Sequence, residues 1–177
     1  PIIRKALAIG ADDAVRVDAQ PTDAFQVASE IANYAKDNEY DMVLCGKETI
    51  DYNGSQVGGM IAELLDLPYV SLAIKLEMNG NIATIERDVQ GGTEVVEVSG
   101  AFVLSASKGM AEQRIPNMRG IMQARTKPLT VVPASGSFAK TEIVSYELPP
   151  AKTACKMVDA ENMDQLINLL HNEAKVI

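Results

Sequence analysis

The chain has 177 residues, 47% of them hydrophobic, and carries 16 basic against 24 acidic side chains for a net charge of −8. That length suits one domain with an appendage. The acidic balance disfavours wholesale binding to nucleic acid or adhesion to an anionic membrane, because both rely on a basic surface.

The first element is read from Ile2, Ile3, Ala6, Leu7 and Ile9, set against Arg4 and Lys5. This spacing predicts a helix ending at Gly10, with no N-terminal cap of its own, so that it starts mid-element. Residues 14–17 predict a short strand. Pro21-Thr22-Asp23 opens a helix with Thr22 or Asp23 as N-cap, and Ala24, Val27, Ala28, Ile31, Ala32 and Ala35 form its apolar face. A buried strand is expected over 41–45. A helix is expected over 55–66, with Val57, Met60, Ile61, Leu64 and Leu65 on one stripe. Gly58 and Gly59 weaken it by roughly 1 kcal/mol each, and their presence predicts close approach of another backbone or of a ligand. Leu67-Pro68 stops it. The alternation of helix and strand predicts a parallel sheet with right-handed crossovers.

The period then changes. Residues 69–77, 82–89 and 94–98 alternate, with Asn79-Gly80 as a type I′ hairpin turn and Gln90-Gly91-Gly92 as a second turn. This is the pattern of an antiparallel meander. Residues 101–106 read as a core strand. The next segment, 108–127, carries Lys108, Arg114, Arg119, Arg125 and Lys127 against the single acid Glu112, a candidate docking surface on an acidic protein. Within it 119–124 predict a short helix, and 128–132 predict a strand. Residues 134–140 read as a linker and 141–148 as extended chain, which Pro149-Pro150 prolongs. A final helix over 160–173 has Asp159 as N-cap. Its stripe of Met163, Leu166, Ile167 and Leu170 packs on its own domain or on a partner.

The stretch with most chemistry in it is Gly46, Lys47, Glu48, Thr49, Ile50, Asp51, Tyr52, Asn53, Gly54, Ser55, Gln56 and Val57. It follows an apolar strand and precedes a helix, and such a helix start offers free N–H groups and the positive end of the macrodipole to a phosphate. In open α/β sheets ligands lie beyond the carboxyl ends of strands, which is where this loop belongs. The alternative is an ordinary β–α connection. The sequence lacks G-x-x-x-x-G-K-[ST], G-x-G-x-x-G and G-x-S-x-G. Lys47 and Asp51 as an enzyme pair need a third group. His171, the sole histidine, reads as a surface residue near a helix end, so no catalytic group and no metal set is assigned. Met110, Met118 and Met122 read as core filler; an anchor in a partner's pocket is the alternative for Met118, in a basic loop with Pro, Asn and Gly, but the residues alone favour filler. Cys45 and Cys155 form no disulfide framework and are expected to be buried or inert thiols. A reducing soluble compartment, such as a bacterial cytoplasm, follows from that usage. No run suits a membrane span or a signal peptide, so no direct membrane insertion is expected.

Five stretches in order resemble the beta subunit of electron-transfer flavoprotein, covering the whole chain. They are residues 3–12; Gly46-Lys47-Glu48-Thr49-Ile50-Asp51 with Gln56 and Gly58; Glu86-Arg87-Asp88-Val89-Gln90-Gly91-Gly92; Arg114 through Ile121-Met122-Gln123-Ala124; and Leu148-Pro149-Pro150 with Thr153-Ala154. The resemblance implies an α/β fold, three-layer with a mostly parallel sheet of the adenine-nucleotide alpha-hydrolase and universal-stress-like type, an antiparallel hairpin extension, and a C-terminal arm plus helix. It implies a nucleotide-binding domain over 1–133, with hairpin 69–98 and recognition loop 108–127, and an arm over 134–177 that packs on the partner subunit.

It further implies an electron carrier without catalytic residues of its own, paired with an alpha subunit that holds most of the FAD. AMP is bound structurally at residues 46–57. Flavin dehydrogenases such as acyl-CoA dehydrogenase dock through Met118 with Arg114, and a quinone reductase accepts the electrons. Asp88 faces the flavin domain. The family's first strand and helices, central to its sheet, have no counterpart in this chain, which is therefore expected to be N-terminally incomplete and to expose unpaired strand edges. Two alternatives stay open. One is an electron-bifurcating relative with a second FAD in place of AMP. The other is a stand-alone ATP-binding protein of the universal-stress type, or a related ATP pyrophosphatase.

Overall fold

The computed structural model describes residues 1–152 and 154–177, so Thr153 of the arm motif lies outside the described residues. The described chain falls into two units, Pro1–Glu142 and Ile143–Ile177. In the first unit α1 (Ile2–Ile9) buries Leu7 and stops at Gly10, whose φ of 138° suits a residue without Cβ. β1 (Ala14–Asp18) follows, then α2 (Ala24–Lys36), which starts where Asp23 caps it. β2 (Met42–Gly46) leads through the polar loop to α3 (Val57–Leu65). That helix ends at Asp66, in the left-handed region at φ 56°, ahead of Pro68.

β3 (Tyr69–Asn79), β4 (Ile82–Val89) and β5 (Gly92–Ser99) form the expected meander, with β3·β4 and β4·β5 antiparallel. The first turn differs from expectation by one residue. Asn79 pairs with Ile82, so Gly80 and Asn81 are the turn residues, and of these only Gly80 takes positive φ. That is the pattern of a type II′ turn rather than I′. β6 (Phe102–Ala106), α4 (Met118–Ala124) and β7 (Leu129–Pro133) complete the regular elements of the unit.

The strands form two sheets. One has the order β2-β6-β3-β4-β5, with β2·β6 and β6·β3 parallel; the other is the parallel pair β1·β7. β6 lies between β2 and β3 in its sheet, and alternation sends its side chains to two cores. Phe102 and Leu104 join Val70, Ala73, Ala83, Ile85 and Val98 on one side. Val103 joins Ala28, Ile61 and Ala62 on the other, under α2 and α3. β3 changes partner type along its length. Its register slips between Val70 and Ala73, where Leu72 takes φ 58° and donates its N–H to the Ser105 hydroxyl at 3.1 Å. The bulge lets one strand pair parallel with β6 and antiparallel with β4.

Among the described residues β1 pairs only with β7 and β2 only with β6, so each has one unpaired edge. Between them lies an apolar groove of about 280 Å³ lined by Val15, Val17, Met42 and Leu44 from the strands and by Ile31 and Tyr34 from α2.

The second unit holds α5 (Met163–Asn168), which continues into a π-helical turn, Leu169–Ala174. The cap here is Asn162, whose side chain accepts from the Gln165 N–H at 3.2 Å; the expected cap, Asp159, instead accepts from the Glu161 N–H in the preceding turn. Both residues are competent caps, and the turn geometry chose between them. Met163, Leu166 and Ile167 stay substantially exposed within the chain. Of the two alternatives for the cysteines, buried or inert, burial does not hold for Cys155, which is exposed in chain without regular structure.

Candidate functional site

α2 and α3 both begin at one pocket of about 570 Å³. Its walls are Thr22, Asp23 and Ala24 from the start of α2, Cys45 and Gly46 from the end of β2, and the loop residues Lys47, Glu48, Thr49, Tyr52, Gly54 and Ser55. Gln56, Val57 and Gly58 at the start of α3 and Thr141 close it. The volume is that of an ordinary small-molecule site. Most of the sequence-predicted loop thus gathers at the pocket, but Ile50, Asp51 and Asn53 do not line it. Ile50 is 93% exposed at the tip. Asp51 bonds within the loop, accepting from the Thr49 hydroxyl at 3.1 Å. Asn53 closes a turn by donating its N–H to the Thr49 carbonyl at 2.9 Å.

The two helix starts are built in opposite ways. Asp23 Oδ1 accepts from the Gln26 N–H at 2.8 Å and closes the first turn of α2. Gln56 offers α3 no side-chain hydrogen bond, and the first bond back to it is donated by the Met60 N–H. The N–H groups of Val57, Gly58 and Gly59 therefore lack a side-chain cap, on a helix end that opens into the pocket. Such uncapped donors, at the positive end of the helix dipole, suit an anion.

Two of the loop's three charged groups, Lys47 and Glu48, neutralise each other. Lys47 Nζ lies 3.0 Å from Glu48 Oε1, and the Ser55 hydroxyl donates to Glu48 Oε2 at 3.2 Å. Lys47 beside it, helped by Ser55, holds the Glu48 carboxyl below its usual range. Burial pushes the Cys45 thiol up, which disfavours the nucleophilic thiolate. At Gly58 the close neighbour is a side chain rather than a backbone, since a Cβ there would meet the Tyr69 hydroxyl at 3.0 Å, and the residue also lines the pocket. At Gly59 the Tyr69 ring stands at ordinary contact distance.

The segment 108–127 forms a second candidate surface. Of its basic side chains, Arg114 donates from Nη1 to the Ile9 carbonyl at 3.3 Å, and Lys127 donates from Nζ to the Leu7 carbonyl at 3.1 Å and to that of Ala11. Both neutralise the negative end of α1. Arg4 answers from α1, donating from Nη1 to the Ala124 and Lys127 carbonyls at 2.6 and 2.8 Å. Gly120 permits this crossing, because a Cβ there would lie 2.3 Å from the Ala8 carbonyl oxygen. Lys108, Arg119 and Arg125 remain exposed.

Met118 opens α4 and is 74% exposed, next to Asn117, whose side chain accepts from the Gly120 N–H at 2.8 Å. Ile115 and Met122 are exposed beside it in sequence, whereas Met110 packs on the core. Core filler thus describes Met110 but not the other two methionines. Asp88 is exposed near the end of β4, opposite Thr93. His171 is exposed in the second unit.

Sequence reasoning missed Thr22, Asp23, Ala24 and Thr141 as pocket residues. A signal existed for the first group: Asp23 and Gln26 have capping-box spacing, and the Gln26 side chain reaches back to accept from the Thr22 N–H at 3.0 Å. Nothing local marks Thr141. Among the described residues no group of three or more His, Cys, Asp or Glu could hold a metal ion, and no helix is long and apolar enough to cross a membrane.

Residues 1–137 match the family model described as the electron transfer flavoprotein domain. Three similar relatives each carry the name electron transfer flavoprotein subunit beta. The one from Bacillus subtilis (strain 168) is 36% identical, covering 99% of this chain and 74% of its own length. The one from Syntrophomonas wolfei is 38% identical, covering 90% and 64%. The one from Homo sapiens is 31% identical, covering 98% and 71%. The chain thus spans 64% to 74% of these relatives.

Proposed function

The chain belongs to the electron transfer flavoprotein family, on its beta-subunit side, and from that premise we propose that it is the AMP-holding, non-catalytic subunit of a heterodimeric electron carrier. The observation that carries the reading is the uncapped start of α3, opening into a pocket of nucleotide-binding size at the carboxyl end of β2. Its N–H donors suit the phosphate of AMP, with residues 46–57 wrapped around it. Lys47 is already paired with Glu48, the Cys45 thiol is held protonated, and the only histidine belongs to the other unit. These groups support a holding site rather than an active site.

FAD, when bound, supplies the electron-accepting ring, and the alpha subunit holds most of it. This chain's residues bind and position. Asp88, exposed at the meander's end, faces the flavin domain of the alpha subunit and pairs with an arginine there. The apolar stripe of residues 163–170 packs on the alpha subunit. Met118, exposed beside Arg119, enters a pocket on flavin dehydrogenases such as an acyl-CoA dehydrogenase, and electrons pass on to a quinone reductase. Arg114 shapes this surface indirectly, by holding the loop to the end of α1. The working compartment is the bacterial cytoplasm or another reducing soluble compartment.

Releasing the nucleotide from the purified protein and weighing it by mass spectrometry tests the reading. AMP is expected. FAD in this pocket would make the chain an electron-bifurcating relative, and ATP on a homodimer without a flavin partner would make it a universal-stress-like protein. Met118→Ala is expected to weaken coupling to the dehydrogenase by about tenfold, the cost of losing a buried methionine anchor, with the nucleotide retained. Unchanged coupling in a steady-state assay would sink the anchor assignment.

A further inference from the structure

Residues 134–141 leave β7 and run antiparallel along one face of α2, bonded to a row of polar side chains spaced at helical intervals. Asn33 Nδ2 donates to the Ser135 hydroxyl at 3.0 Å. Glu30 accepts from the Ser135 N–H at 2.8 Å and from the Ser137 hydroxyl at 2.5 Å. Gln26 Nε2 donates to the Ser137 carbonyl at 3.1 Å. Asp23 Oδ2 accepts from the Lys140 N–H at 2.6 Å, the Thr141 N–H at 2.9 Å and the Thr141 hydroxyl at 3.3 Å. The ladder ends at the pocket, because Asp23 and Thr141 both line it.

Its two ends differ. Glu30 is a carboxylate only 6% exposed beneath the strap, which supplies the partners of both its oxygens, so releasing that end breaks two charge-assisted hydrogen bonds. The Asp23 end is more open to solvent, and on release Asp23 keeps its bond from the Gln26 N–H. Gly136, at φ 83°, sits inside the anchor between Ser135 and Ser137, so the span between the two ends is Phe138 and Ala139. Lys140 Nζ lies over the rings of Phe138 at 4.2 Å and Phe25 at 5.2 Å. The strap is thus anchored at Glu30, spans residues 138–139 and is latched at Asp23, and past Glu142 the chain continues into the second unit.

We infer that residues 134–141 are a strap that closes one wall of the nucleotide pocket, with Asp23 as the positioning residue that couples pocket occupancy to the strap's closed state. A ligand that touches Thr141 only when the latch is shut binds that state better, and by linkage the shut latch favours the ligand. The held nucleotide then has a task besides filling space: it sets where the chain leaves the first unit toward its C-terminal arm. The inference rests on the AMP reading above.

Amide hydrogen exchange on the full chain, with and without AMP, tests it. Asp23→Asn is the informative variant. The side-chain amide has one acceptor oxygen, so whichever way it turns it cannot serve both the Gln26 N–H and the Lys140 and Thr141 donors. Thr141→Pro releases the strap from its own side and leaves the cap on α2 intact.

In the wild type AMP is expected to slow exchange at residues 46–58 and, about tenfold, at Lys140 and Thr141, the effect of one charge-assisted hydrogen bond held more of the time. In both variants slowing is expected at the loop but not at the remaining strap amides. Loop protection without strap protection in the wild type overturns the coupling and leaves the AMP reading standing. Protection at neither overturns the AMP reading, and the coupling falls with it. Strap slowing that persists in both variants overturns the role of Asp23.

Discussion

Two regions of the first unit gather the polar chemistry of the chain, the pocket at the starts of α2 and α3 and the corner where α1 crosses α4. At the corner three cations are spent. Arg4, Arg114 and Lys127 all donate to main-chain carbonyls, and helix ends that would otherwise face water are closed. At the pocket the reverse holds: the loop's lysine is neutralised by its neighbour, while the first N–H groups of α3 are left uncapped. A cluster of basic residues is therefore not by itself a binding surface, and a stretch without a free cation can still suit an anion. What decides is whether the donors already have partners.

Breaking the corner should produce the largest effect. Gly120→Ala puts a Cβ 2.3 Å from the Ala8 carbonyl oxygen, which is main chain and cannot rotate away. Overpacking of this kind costs about 2–3 kcal/mol, and thermal unfolding should show it as a lowered midpoint with AMP binding retained in the fraction still folded. An unchanged midpoint would mean that α1 and α4 do not cross this closely.

Gln56→Asp attacks the pocket instead, by giving α3 the negative start that α2 already has. A carboxylate about 5 Å from a phosphate at an effective dielectric of about 20 raises the binding free energy by about 3 kcal/mol, or roughly two orders of magnitude in affinity. Calorimetric titration with AMP should show that loss while the midpoint of the free protein holds or rises. Retained affinity would remove the start of α3 from the phosphate site.

The smallest effect sharpens the comparison along the strap. Hydrogen bonds hold Asp23 below its ordinary 3.8, the Gln26 N–H foremost, and hold Glu30 below its ordinary 4.5, the Ser137 hydroxyl foremost. Both carboxyls are depressed in the folded state, so their contribution is complete above those ordinary values and is lost as pH falls through the folded ones. Unfolding curves below about pH 4.5 should therefore steepen for the wild type. They should be shallower for a variant carrying both Asp23→Asn and Glu30→Gln, and equal slopes would show that the strap carries no such linkage.

Much of this was legible in the chain itself because the relevant signals are local. Alternation marked the meander, helical spacing marked α1, α2 and α3, and Asp23 stood as a cap candidate from its place before an apolar stripe. The loop at 46–57 could be read as a strand-to-helix connection, and its neighbours in sequence do line the pocket. The hairpin turn was displaced by one residue because Asn79-Gly80 and Gly80-Asn81 are both good turn pairs, and strand register chose the second. The start of α5 moved for a similar reason, with two capping residues close together.

Other features depend on residues far apart in sequence, and no local pattern carries them. Gly58 signalled close approach, but only packing revealed the Tyr69 hydroxyl as the neighbour. The apolar face of α2 was legible from its spacing, but that its polar row of Asp23, Gln26, Glu30 and Asn33 carries a strap from the far end of the domain was not.

By itself, then, the sequence determined the kinds of element, their order, the family, and the loop that belongs to the pocket, because short-range spacing and turn chemistry encode each of these. Tertiary structure alone decided that β1 pairs with β7 and β2 with β6, that Arg114 and Lys127 are spent on α1, and that α2 is capped where α3 is left open. Those outcomes turn on which donors meet which acceptors across the fold. That depends on how buried surfaces pack, and residue type leaves it open.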